Sequence, residues 1–108
     1  EVNVGKEESK SGIFLEGLND LIAEVSEMEN IKIKGLMTIP PICDSEAEVS
    51  KYFESMYQTF IDIKNKKIDN VDMDILSMGM SHDYEAAVKN GSNIVRVGSA
   101  IFGARKYF

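Results

Sequence analysis

The sequence has one cysteine, one histidine and two prolines, and no long uninterrupted run of apolar residues. The lone Cys43 excludes an internal disulfide framework and any Cys-cluster metal site. It fits a reducing compartment, so a cytoplasmic location is expected. With Cys43 and His82 far apart in the chain, neither a metal site nor a Cys-His dyad is expected. No stretch approaches the roughly 18 to 20 apolar residues that a membrane span requires. The opening Glu1-Val2-Asn3-Val4-Gly5 lacks the basic head and apolar run of a signal peptide. Basic charge is scarce as well: 12 Lys and Arg face 18 Asp and Glu, a net charge of −6. That balance argues against a nucleic-acid scaffold and against attachment to anionic lipid, while leaving room for a small local anion pocket.

What is present is an ordinary globular mix, 44% hydrophobic and 28% charged over 108 residues, enough for one domain and hardly two. Two patterns alternate along it. Val2-Asn3-Val4 reads as a strand already under way, followed by a polar loop from Gly5 to Gly12. Phe14, Leu15, Leu18, Leu21, Ile22, Val25 and Met28 then recur at steps of three and four, which predicts a helix stopping near Asn30. Residues 31–39 start with alternation and become almost continuously apolar, as a strand buried on both faces would, and Pro40-Pro41 ends it. Asp44 or Ser45 can cap a second helix, whose stripe is Val49, Tyr52, Phe53, Met56, Phe60 and Ile63. Its end at Lys64, Lys66 and Lys67 complements the helix dipole. A third strand is predicted at 75–78. Asp69, Asp72 and Asp74 read as a polar lead into it, not as a calcium loop, because the glycine and terminal glutamate of that pattern are missing. A short helix at 83–89 closes at Asn90-Gly91, a fourth strand occupies 93–97, and a helical turn at 100–103 follows.

Regular alternation of strand and helix implies right-handed crossovers and a parallel sheet. Four βα units are present, and a closed eight-unit barrel takes about 250 residues, so the chain reads as half of a (β/α)8 TIM-type barrel. Such a half leaves open edges at its first and fourth strands and an uncovered inner face. Self-association of two copies is therefore expected. In parallel βα folds ligands lie at the carboxyl ends of the strands. Two of those ends are informative: Gly79-Met80-Ser81 and Gly98-Ser99, each leading directly into a helical turn. Glycine admits a ligand close to the backbone, and the hydroxyl with the first free N–H groups of the next turn can cradle a phosphate. Arg96, two residues before Gly98, shares its face of the strand and can donate to a ring nitrogen or a carboxylate nearby. On spacing alone, two ordinary βα loops would read the same way.

The run Leu76-Ser77-Met78-Gly79-Met80-Ser81-His82-Asp83, continuing through Asn93-Ile94-Val95-Arg96-Val97-Gly98-Ser99 to Gly103, closely resembles the C-terminal signature of the YggS/PROSC family. These are pyridoxal-phosphate homeostasis proteins, similar in fold to the N-terminal barrel domain of alanine racemase. The loop through Glu8-Ser9-Lys10-Ser11-Gly12 and the segment Gly35-Leu36-Met37-Thr38-Ile39-Pro40 resemble that family's fifth and sixth strand motifs. The resemblance spans the chain and is loosest from about Ile42 to Asn70. It implies a site for pyridoxal 5′-phosphate (PLP). Ser81 and the Gly98-Ser99 turn resemble the phosphate ligands, and Arg96 the arginine facing the pyridine nitrogen. The resemblance also implies that Met37 and Asn3 line the ring or its surroundings. An arginine there keeps that nitrogen unprotonated and weakens the cofactor as an electron sink, which suits a carrier more than an enzyme.

One departure is large. The lysine that the family joins covalently to its cofactor lies at the end of its first strand, in an N-terminal half without counterpart here. No lysine of this sequence stands in a matching motif. The chain is thus expected to be a C-terminal half, strands five to eight of the family barrel, as one partial domain over residues 1–108. PLP binding by it would be non-covalent at most. Were a covalent adduct found, Lys10 would be the first suspect, because its loop follows a strand on the functional face. His82 reads as a solvated first-turn side chain, and Cys43 as a bystander thiol. The expected function of the intact protein is binding and buffering of PLP without catalysis. The alternatives are an amino-acid racemase relative, which would need a tyrosine from a second domain, and a module for another phosphorylated metabolite.

Overall fold

The longest helix shows how the sequence sets the framework. Ser45 stands just before it with its hydroxyl accepting from the Glu48 N–H at 3.1 Å, while the Glu48 carboxylate accepts from the Asp44 N–H at 3.1 Å. This reciprocal cap satisfies donors that the first turn would otherwise leave unpaired. From there α2 runs over Glu46–Lys66 and buries Val49, Phe53, Met56, Phe60 and Ile63, the expected stripe. It ends where Lys67 turns left-handed, with φ 51°.

A computed structural model of the chain describes residues 1–105. Helix α1 spans Leu15–Ser26, strand β1 Ile33–Thr38, β2 Val71–Met80, α3 Tyr84–Lys89, β3 Ile94–Arg96 and α4 Ser99–Phe102. The strands form one parallel sheet in the order β1-β2-β3. Leu36 pairs with Leu76 and Thr38 with Met78, so their side chains stand on the same face, against α2 and α3. Phe53, Met56, Leu76 and Met78 are fully buried there, each removal from water contributing about 1.5–3 kcal/mol. Ile75, and Ile94, which pairs with Ser77, belong to the opposite face and remain 36% and 43% exposed.

Three expectations need correction. The strand at 2–4 forms only one rung: Val2 bridges Thr38 in parallel, its N–H donating to the Met37 carbonyl at 2.7 Å and its own carbonyl accepting from the Thr38 hydroxyl at 2.6 Å. The sheet therefore has three strands and an added bridge rather than four strands. Nor is the edge at that end open. The chain returns after its loop so that Ile13 bridges the outer side of Val2, taking the Asn3 N–H at 2.8 Å and giving its own N–H to the Glu1 carbonyl at 3.1 Å. Backbone groups that would have paired with another chain are satisfied within this one.

The third correction concerns the acidic lead before residue 75. Strand β2 begins at Val71, with Asp72 and Asp74 inside it. They stand opposite β1 and the residue before it: Lys32 reaches Asp72 at 2.9 Å and Lys34, in β1, reaches Asp74 at 2.7 Å. Bonding to Lys32 holds the Asp72 carboxyl below its ordinary range, and bonding to Asp74 holds Lys34 above its own. Opposite charges across neighbouring strands thus extend a strand whose sequence looks polar. Among the described residues no helix is long and apolar enough to cross a membrane.

Candidate functional site

Strands β2 and β3 lie side by side, so the segments leaving their carboxyl ends are neighbours. After β2, Asp83 fixes the turn: its carboxylate accepts from the Met80 N–H at 2.7 Å. Gly79 turns with φ +110°, and a Cβ there would lie 2.8 Å from the Cβ of Ala87, so this glycine is demanded by conformation and by packing. Ser81 is thereby set against the start of α4. Its Oγ accepts from the Gly98 N–H at 3.0 Å and from the Ala100 N–H at 3.1 Å. Two acceptances use both lone pairs of the hydroxyl, leaving its proton to be donated outward.

Gly98 is unlike Gly79. Its φ is −116°, open to any residue, and a Cβ built on it meets nothing within 4 Å. Neither strain nor packing requires glycine at this position. The space where a side chain would stand belongs to an open depression of about 650 Å³, whose walls include Ser81, His82, Arg96, Gly98, Ser99 and Arg105. Arg96 reaches across the sheet. Its Nη2 donates to the carbonyl of Thr38 at 2.9 Å and to that of Ser77 at 3.5 Å. Its Nε is buried without an acceptor among the described residues. A guanidinium is a permanent cation, so the depression combines a positive charge on its wall with the Ser81 hydroxyl. That donor set suits an oxyanion with an acceptor-bearing body attached.

The expected site residues divide into two groups. Ser81, Arg96, Gly98 and Ser99 are brought together around this depression. Met37 and Asn3 are not among its walls. Met37 pairs with Ser77 across β1 and β2. Asn3 is buried, and its amide is spent inside its own loop, donating to the carbonyls of Glu7 at 2.7 Å and Lys10 at 3.3 Å and accepting from the Glu7 N–H at 3.1 Å. Lys10 is engaged too, on the Pro40 carbonyl at 3.1 Å and the Glu7 carboxylate at 3.0 Å. Arg105 and Phe102 also line the depression and were not among the residues expected there. The only signal for them was their place in the segment that follows a Gly-Ser turn. Cys43 lies in a second depression, shared with His82 and Asp83. Burial first, and then the nearby carboxylates of Glu48 and Asp44, push its thiol upward, which disfavours the reactive thiolate.

Comparison with known proteins places this geometry in a family. The family described as "Alanine racemase, N-terminal domain" matches residues 1–106. The chain is 44% identical over 107 residues to the pyridoxal phosphate homeostasis protein of Aquifex aeolicus, covering 99% of this chain and 46% of that protein. It is 43% identical over 107 residues to the protein of the same name from Escherichia coli, covering 99% of this chain and 44% of that one. Among solved structures it is similar to PipY of Synechococcus elongatus with PLP bound, with a TM-score of 0.78 and 29% identity over 87% of this chain and 44% of that one. The chain thus spans less than half the length of the curated relatives it matches.

Proposed function

Since this chain belongs to the alanine racemase N-terminal domain family, we propose that it supplies the phosphoryl-binding part of a PLP site, and that the whole protein binds and buffers PLP in the cytoplasm without catalysing turnover. The observation that carries this reading is the convergence of Ser81 on the Gly98 and Ala100 N–H groups, beside a guanidinium with a buried unpaired Nε. The names of the relatives and the PLP-bound PipY structure support the choice of ligand.

Ser81 and the Gly98-Ser99 turn would hold the phosphoryl group, and Arg96 would face the pyridine nitrogen. PLP when bound supplies an electrophilic aldehyde on an electron-withdrawing ring. Arg96 donates a hydrogen bond without surrendering its proton, so it orients the heterocycle while leaving its nitrogen unprotonated. The Thr38 carbonyl fixes one end of the guanidinium. Titration of the chain with PLP, followed by the cofactor's absorbance with and without borohydride, tests this. The expected result is saturable 1:1 binding that inorganic phosphate displaces and dialysis removes. Binding indifferent to phosphate, or no saturation, overturns the phosphoryl site. A stoichiometric reduced adduct on one lysine overturns non-covalent binding.

The same reading makes the chain, residues 1–108, half of a (β/α)8 barrel, one partial domain. Its uncovered face, with Ile75 and Ile94 exposed, then needs a cover. For the chain taken by itself the occupant is a second copy, two copies together approaching the length of one relative. Sedimentation at micromolar concentration is expected to show a dimer, and replacing Ile75 by aspartate to dissociate it. A well-folded wild-type monomer overturns the idea.

A further inference from the structure

Strand β3 has little of its own to hold it in place. It is three residues long and none of them is fully buried. It pairs with β2 at Ser77–Ile94 and Met80–Arg96, and between those pairs β2 takes three steps while β3 takes two. One extra residue is thus accommodated in β2, where Gly79 has φ +110°. A strand without a buried face specifies its register weakly, and a slip of one residue turns its side chains over. Such a slip also moves the strand by about 3.3 Å. That is enough to take the Gly98 and Ala100 N–H groups away from the Ser81 Oγ, which they reach at 3.0 and 3.1 Å.

Two residues ahead of β3 supply what the strand lacks. Asn93 uses both ends of its amide: Oδ1 accepts from the Leu76 N–H at 2.8 Å and Nδ2 donates to the Asp74 carbonyl at 2.7 Å. Its own N–H donates to the Leu76 carbonyl at 3.1 Å. The Ser92 hydroxyl stands 2.6 Å from the Met78 carbonyl, with those of Ile94 and Leu76 at 2.9 and 3.3 Å. A hydroxyl has a single proton, and the shortest contact, to Met78, is the one it serves. Met78 directly precedes the Gly79 turn. Two side chains therefore grip β2 from Asp74 to Met78, the stretch that leads through the extra residue to Ser81.

We propose that Ser92 and Asn93 are positioning residues for the anion site, fixing the register of β3 against β2 and with it the meeting of Ser81 with the Gly98-Ser99 turn. The inference rests on the reading of that turn as a phosphoryl site. Neither residue is a wall of the depression, so neither acts by touching the ligand.

Inorganic phosphate is the probe, and the amide resonances of Gly98 and Ala100 in the full chain are the readout, since both groups donate to Ser81. In ligand-free Ser92→Ala and Asn93→Ala these resonances are expected to move in the direction in which Ser81→Ala moves them. Phosphate affinity is expected to fall about tenfold in both, the scale of one lost hydrogen bond to a charged group. Ser92→Thr keeps the hydroxyl and is expected to restore both readouts. Ile63→Val, a change in the buried stripe of α2, lowers stability without touching the clamp and is expected to leave both readouts as in wild type. Readouts that move as far in Ile63→Val as in Ser92→Ala overturn the positioning role. A loss in Ser92→Thr equal to that in Ser92→Ala overturns the part played by the hydroxyl. A wild type that binds phosphate, with Ser92→Ala and Asn93→Ala binding it equally well, overturns the inference alone. Absence of any phosphate-dependent shift in the wild-type chain overturns the phosphoryl site, and this inference with it.

Discussion

Gly98→Ala is expected to weaken the binding of PLP or inorganic phosphate at least tenfold, which is about 1.4 kcal/mol, while leaving the fold intact. The two halves of that expectation have separate physical grounds. The backbone at 98 has φ −116°, accessible to alanine, and the added methyl meets nothing within 4 Å. Replacing glycine at such a position constrains the unfolded chain and stabilises by about 0.4–1 kcal/mol, so the melting temperature should hold or rise slightly. The methyl would stand in the open depression beside Ser81, where an anion has to approach the Gly98-Ser99 turn. A titration and a thermal melt on one preparation check both halves. Wild-type affinity in the variant would remove the proposed reason for glycine at this position, and a large loss of stability would show that the residue serves the fold.

The opposite outcome is expected for Gly35→Ala, on the far side of the same sheet. A Cβ at 35 would lie 1.9 Å from the Ile75 carbonyl oxygen and 2.7 Å from its carbon. Those atoms are backbone in the paired strand and cannot swing aside as a side chain would. Strands β1 and β2 would have to separate where their register is already irregular, between Ile33 and Gly35. Overpacking of this kind costs about 1–3 kcal/mol. In a domain of this size that lowers the melting temperature by about 10 °C. Denaturant unfolding monitored by circular dichroism gives the same quantity independently. A variant as stable as wild type would mean that the close approach of the two backbones at this point does not constrain the sheet.

What could be read from the sequence was what depends on neighbours along it. The stripe of α2 is a matter of spacing, and Ser45 and Glu48 announce its start three residues apart. The Gly-Ser ends of β2 and β3 were visible for the same reason, each motif being contiguous. Relations across the sheet were not visible. Asp72 and Asp74 look like loop residues until Lys32 and Lys34 are placed opposite them, forty positions earlier in the chain. The acceptor that orients Arg96 is the carbonyl of Thr38, a group that every residue possesses and that no sequence distinguishes. Asn3 resembled a ligand by its place in a strand motif, yet its amide completes the loop between Glu7 and Lys10. Whether a polar side chain serves its own loop or a ligand depends on where the chain folds back, and local pattern does not record that.

The rung that Ile13 adds outside Val2 bears on how copies of this chain can assemble. A parallel sheet has two unlike edges, and contact between unlike edges of successive copies repeats without end unless the geometry happens to close. By occupying the Asn3 N–H and the Glu1 carbonyl, Ile13 blunts one of the two edges and so removes half of every such head-to-tail joint. Growth into fibres would first have to peel that residue away, which leaves assembly through the exposed face, and hence a finite particle, as the easier route.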